Sequence, residues 1–191
     1  MNIKILTLTL FSFFTFSTMA QEAKPKVKEV GITFYNLKNY GAIFKIGQED
    51  RLWRFRVLSS SANKTDYGNQ HLTNFNLNLS AGRERRKSVS DKLNFIYGIE
   101  LSGGIQSYKR KVDNLDITTT QNSFTVGFTG VLGFNYFITK SLFVGGELLP
   151  IAQFRQVTEK DSRFTDDLRV YHVYNFGFNN NSVLLSVGFK F

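Results

Sequence analysis

Seven charged side chains share a phase with small and polar neighbours: Lys45, Arg54, Arg56, Glu100, Glu147, Arg155 and Lys190. Both signs are present, so one chemistry open to them is a network of salt bridges inside a closed structure. The other is the lining of a narrow ion path. A carboxylate such as Glu100 is costly to bury alone and tolerable beside Arg54 or Arg56. Which acid meets which base depends on strand register.

Catalytic and metal chemistry find little purchase. The chain has no cysteine, which excludes disulfides, thiolate metal sites, a cysteine nucleophile and a lipid anchor on cysteine. Its only two histidines, His71 and His172, stand in no spaced metal motif. Gly103-Gly104 and Gly145-Gly146 are not followed by Lys-Ser or Lys-Thr, so they read as mid-strand glycines rather than phosphate loops. The sequence calls for no catalytic residue, cofactor or metal.

The elements that must position the charged set are β-strands. In residues 93–108 one phase carries Leu93, Phe95, Tyr97, Ile99, Leu101 and Ile105, and the other Asn94, Gly98, Glu100, Ser102 and Gln106. Residues 123–138 repeat the pattern with Phe124, Val126, Phe128, Leu132, Phe134, Tyr136 and Ile138 on one side. A period of two is what a pleated strand imposes. Asn74, Asn76 and Asn78 share a phase as well, a poor choice for a dry soluble core because each buried amide needs partners. A hydrogen-bonded barrel lumen accepts them. At about 3.3 Å per residue a sixteen-residue strand spans on the order of 50 Å, so the longest strands overshoot a bilayer.

Composition agrees. The 191 residues include 20 Phe, 15 Gly and 2 Pro, a balance that suits many strands. Mean hydropathy is only −0.18, but a barrel shows lipid only alternate residues, so the average cancels. Lys4, an apolar run over 5–16 and Thr18-Met19-Ala20 form the pattern of a secretory signal peptide, with cleavage expected after Ala20. Residues 1–20 are thus read as the signal peptide, 21–28 as a lead-in and 29–191 as the barrel. Removing Lys4 takes the net charge from +9 to +8. An exported chain of this charge points to anionic lipid head groups or lipopolysaccharide and away from nucleic acid.

Polar stretches alternate in size between the strands. Residues 48–50, 85–91 and 139–140 read as short turns, with the basic run Arg83-Glu84-Arg85-Arg86-Lys87 at one of them. Residues 63–70, 109–120 and 158–167 read as long outer loops, one of them carrying Lys109, Arg110 and Lys111. The segments number nine unless Asn179-Asn180-Asn181 is a bulge inside one long last strand. That bulge leaves eight and reverses the aromatic phase across it, from Tyr174, Phe176 and Phe178 to Val183, Leu185, Val187, Phe189 and Phe191. The alternative keeps a hairpin at the Asn run and demotes 29–36 to a lead-in.

These features resemble small bacterial outer-membrane β-barrel proteins of the OmpX/OmpA-like kind, abundant in Bacteroidetes. The resemblance is carried by the signal peptide, the Tyr136-Phe137-Ile138-Thr139-Lys140-Ser141-Leu142 turn, the Asn-rich 176–181 segment and the Gly188-Phe189-Lys190-Phe191 ending. It implies an all-β fold, an eight-stranded antiparallel up-and-down transmembrane β-barrel in the cell outer membrane. It also implies that Phe189 and Phe191 form a signal for the barrel-assembly machinery. The function expected is non-enzymatic, in envelope structure or surface contact through the long loops. Two other readings stay open: a soluble lipocalin-like barrel, with the apolar phase turned inward around a ligand, and a narrow pore.

Overall fold

The computed structural model describes residues 26–36, 39–115, 117–163, 168–178 and 182–191. The expected signal peptide, most of the lead-in and the Asn179–Asn181 run lie outside the described residues. Among the described residues ten strands follow one another: β1 (Val27–Asn36), β2 (Asn39–Gln48), β3 (Arg51–Tyr67), β4 (Gln70–Ser90), β5 (Leu93–Val112), β6 (Ile117–Phe137), β7 (Leu142–Leu148), β8 (Ile151–Asp161), β9 (Leu168–Gly177) and β10 (Val183–Lys190). Eight of them, β1 to β7 and β10, close into an antiparallel ring. The seam is β1 against β10, finished by Lys28 N–H donating to Phe191 O (3.1 Å) and Phe191 N–H to Lys28 O (2.9 Å). Closure leaves no open edge around the ring, the condition for strands to cross lipid.

The ten segments make eight staves because two staves are interrupted. Opposite β6, the pairs Leu148↔Leu132 and Ile151↔Thr129 keep one register across Leu149 and Pro150. Gly130 N–H donates to Pro150 O at 2.8 Å, but a proline nitrogen has no hydrogen to return the bond, so the ladder breaks without slipping. β9 pairs with β8 and β10 with β7, so they are two parts of the last stave. Between Ile151↔Gly177 and Leu148↔Val183, two residues on one side face five on the other, an excess of three. An odd excess reverses the faces, as the aromatic phases imply, although the expectation was a single extra residue. β1, starting at Val27 and paired on both edges, is a true stave rather than a lead-in.

Two of the expected long outer loops are corrected, while in the third β8 runs on to Asp161 and residues 164–167 lie outside the described residues. β3 and β4 run up to a tight turn at Gly68 and Asn69, and β5 and β6 continue through Val112 and from Ile117. Most polar residues in 63–70 and 109–120 are strand residues, the exceptions being the turn at 68–69 and the 3-10 turn Asp113–Leu115, because a hairpin above the bilayer can stay paired with no apolar face. β4 and β6, 21 residues each, are about 70 Å long at roughly 3.3 Å per residue. The short β1–β2 hairpin does not follow them. Above it, among the described residues, the upper part of β3 pairs only with β4, and β9 only with β8, leaving a notch in the wall.

Side-chain polarity is inside out. Val30, Ile32, Phe55, Val57, Ile99, Leu101, Phe128, Leu132, Phe134, Val187 and Phe189 all face outward, while Arg54, Lys45, Glu29, Glu84 and Glu100 are among the large side chains with almost no exposure. A lipocalin-like barrel needs the opposite arrangement, so that reading is overturned. Trp53, Tyr97 and Tyr136 sit outward toward the end holding the short turns, where the Arg83 guanidinium lies 4.4 Å from the Trp53 ring centre. Leu101, cross-strand from Phe128, lies midway along β5 between Tyr97 and Ile105. Leu101→Arg is expected to cost about 2–4 kcal/mol, the usual penalty for a cation on the lipid face near the midplane. Urea titration of the protein in lipid vesicles measures it, and an unchanged midpoint would place Leu101 outside the bilayer.

Candidate functional site: the filled lumen

Alternate residues of the staves converge on the axis, and an eight-stranded ring is just wide enough for them to touch. Glu84 on β4 is the hub. It accepts hydrogen bonds from Lys45 Nζ at 2.7 Å, Arg54 Nη1 at 2.8 Å and Arg86 Nε at 2.6 Å. Arg86 turns its other two nitrogens on Glu29, at 2.6 and 2.7 Å, in a two-pronged pair. Arg54 reaches Glu147 through Nη2 at 2.6 Å and brings Nε to 2.5 Å from Glu100. Glu100 also takes Arg56 Nη2 and the Ser80 hydroxyl. One continuous network thus runs from Glu29 to Arg56.

Its members are the cations Lys45, Arg54, Arg56 and Arg86 and the anions Glu29, Glu84, Glu100 and Glu147, four of each and all buried. They come from β1, β2, β3, β4, β5 and β7. Charge balance is what makes the burial tolerable, since each ion loses its water and must recover that energy from a partner. Glycines make room for the long side chains. Glu84, Glu100 and Glu147 stand directly cross-strand from Gly98, Gly82 and Gly133. A Cβ at Gly82 would lie 2.1 Å from Ile99 O and 2.6 Å from Glu100 Cα, so backbone leaves space there for nothing larger.

Of the seven residues chosen from sequence, five meet in this network: Lys45, Arg54, Arg56, Glu100 and Glu147. Arg155 lies outside it toward the outer end, donating to Gln106 Oε1 (2.6 Å) and Ser123 Oγ (3.0 Å). Lys190 pairs with Glu49 at the opposite end, with the Phe137 ring centre 5.7 Å away. Phe189 faces outward and Phe191 is exposed at the seam. Glu29, Glu84 and Arg86 were missed. The run 83–87 is not a turn but a strand that sends Arg83, Arg85 and Lys87 outward and Glu84 and Arg86 inward. Following the phase of Asn74, Asn76, Asn78 and Ser80 would have reached both. Apolar side chains also enter the lumen: Ile96, Val131, Leu149 and Leu184 form a buried cluster against which Tyr35 packs.

At the outer tips His71 joins two hairpins. Its Nδ1 lies 2.5 Å from Asp66 Oδ1 and its Nε2 2.7 Å from Asp113 Oδ2. Two ionised carboxylates can only accept, so both ring nitrogens donate and the ring is an imidazolium. The hydrogen bond to Asp66, then that to Asp113, raises the His71 pKa. Hydrogen bonding to His71 lowers Asp66, while Asp113 is lowered first by Lys111 and then by His71.

The chain matches no protein-family model and no curated protein sequence. Among solved structures it is similar to a major outer membrane protein from Thermus thermophilus, at 13% identity and a TM-score of 0.53, over 87% of this chain and 99% of that one. CarO of Acinetobacter baumannii aligns at 14% identity and a TM-score of 0.42, over 91% of this chain and 99% of that one. The likeness to the Thermus protein is one of fold. Together with the closed ring, it defines the class: an outer-membrane β-barrel, antiparallel, up-and-down and eight-stranded.

Two measurements follow from this geometry. Glu84→Gln leaves three cations around an uncharged hub and is expected to cost about 3–5 kcal/mol, as when one partner of a buried pair is removed. Denaturant titration in lipid reads this directly, and wild-type stability would deny the network its role. The His71 ring carbons should titrate by NMR with a midpoint above the ordinary imidazole value of 6.5. Because its folded pKa is raised, the His71 contribution is complete below that ordinary value and lost as pH climbs through the raised one. The aspartates, depressed on folding, lose theirs as pH falls through their lowered values. A midpoint at or below 6.5 would mean that the bridge does not form.

Proposed function

We propose that this chain is an integral protein of the cell outer membrane that neither conducts ions nor catalyses a reaction, with a role in envelope structure or surface contact. The observation that carries this reading is the electroneutral network from Glu29 to Arg56, which fills the cross-section that a pore would need. The outward apolar belt supports residence in lipid. The lumen acids are engaged in ion pairs rather than presented at a reactive cavity, which supports a non-enzymatic role. Surface contact would be made in part by the paired strand extensions of β3, β4, β5 and β6.

Within outer-membrane barrels, the eight-stave ring and filled lumen favour the OmpX/OmpA-like kind, and the sequence features at 136–142 and 188–191 favour a Bacteroidetes-type member. A cleaved signal peptide over residues 1–20 would take the chain to the periplasm. There Phe189 and Phe191, at the stave that closes the seam, would be read by the assembly machinery. Arg83, Arg85 and Lys87, outward beside Trp53, suit inner-leaflet head groups. Lys109, Arg110 and Lys111, exposed at the outer end of β5, suit lipopolysaccharide phosphates.

Reconstitution into planar bilayers tests the central point: no discrete conductance steps are expected from the wild type. Regular single-channel steps would overturn the closed-lumen reading in favour of a narrow pore. The protein should also fractionate with outer membranes and run at different mobility in unheated and boiled gel samples. Recovery as a soluble periplasmic protein, with no such shift, would defeat the membrane assignment.

A further inference from the structure

Beyond the closed network, the outer half of the lumen holds a cavity of about 410 Å³, within the roughly 300–1,000 Å³ usual for small-molecule sites. Among the described residues, Arg56 and Arg155 are the only charged ones lining it, and no carboxylate does. The rest of the polar wall is amide and hydroxyl, including Asn76, Gln106, Gln153 and Asn175. Arg155 has neutral hydrogen-bond partners, Gln106 and Ser123, and its buried Nε–H has no partner among the described residues. Arg56, 2% exposed, gives Nη2 to Glu100 and Nε to Ser80, while its buried Nη1 has no partner among them either. The network below is already balanced within itself, and Arg155 forms no ion pair with any described residue.

We propose that this cavity is a binding site for a small polar organic anion whose carboxylate or phosphate is held between Arg56 and Arg155. The guanidinium N–H groups that Glu100, Ser80, Gln106 and Ser123 leave over make charge-assisted hydrogen bonds to the oxygens of such anions, and the low dielectric of a lumen strengthens them. Amide side chains can donate to and accept from a hydroxyl-bearing body, so the chemistry fits an acidic or phosphorylated sugar, free or as a glycolipid head group. Among the described residues the cavity adjoins the notch: Tyr35 at the top of β1, Arg56 on β3 and Asn175 on β9 all line the cavity, and these strands border the gap. The network forms the floor, so the ligand is held rather than passed.

The test uses side-chain Nε–H NMR spectra of ¹⁵N-labelled protein refolded in zwitterionic micelles. Titration with D-galacturonate or inorganic phosphate is expected to move the Arg155 and Arg56 resonances saturably, and D-galactose is expected to leave them in place. Arg155→Met should weaken galacturonate binding about tenfold or more, the scale of one lost charge-assisted hydrogen bond, with the heat-dependent gel shift intact. Arg155→Lys, which keeps the charge without the fork, should lose less. Lipid nanodiscs with and without lipopolysaccharide distinguish the sources: resonances moved by lipopolysaccharide alone support a head group, and by soluble anions a free solute. Absence of a saturable shift with all of these, equal shifts with galactose, or unchanged binding in Arg155→Met would overturn the site. Planar-bilayer conductance is unaffected by that outcome, so this site and the closed lumen fail separately.

Discussion

Neutralisation of charge where the ring is packed with its own ionic side chains is the constraint on which the rest of this barrel depends. Four cations and four carboxylates are withdrawn from water together, and no one of them can be removed without stranding a neighbour. The ring must therefore bring six strands into one register for the ions to meet. Backbone pairing supplies closure, since in lipid every amide and carbonyl needs a partner within the protein. The exterior then follows from the pleat: with alternate residues committed to the ionic interior, the others are turned to lipid and must be apolar.

The same geometry separates the barrel into zones. At the end of the short turns, Lys190 and Glu49 form an outlying ion pair and Trp53 and Arg83 share the outer surface. The network occupies the middle, with glycines opposite three of its four glutamates because a β-carbon there would strike backbone. Toward the outer end the ionic packing gives way to amides, hydroxyls and two arginines around open volume. Farther out, the wall is a paired sheet without a lipid-facing signature, interrupted above the short β1–β2 hairpin and bridged at its tips by His71.

Legibility from sequence tracked how strongly each zone contrasts its two faces. Where apolar residues mark the lipid side, as in β5 and β6, the phase of Glu100 was plain. In β4 the apolar markers thin out after Leu79, and the charged residues 83–87 read as a solvated turn. Glu84, the most connected acid of the network, was hidden among them along with Arg86. Glu29 stands at the border between the expected lead-in and the first strand, where a period of two has no earlier residues to set it. The outer extensions were read as loops for a related reason: a hairpin standing in water has no need of an oily face, so its pairing leaves no periodic signal.

What the sequence by itself determined is which residues share a face, since a period of two is a local property of the pleated backbone. It thereby determined the class of fold and most of the charged interior. Register, the pairing of each acid with its base, the three-residue excess in the last stave and the notch beside β9 were decided by tertiary structure alone. They depend on which atoms of distant strands come opposite one another when the ring closes, and an alternating pattern looks the same after a shift of two residues. The cavity over the network belongs to that second group, because the position of Arg155 relative to Arg56 exists only once β8 and β3 face each other across the lumen.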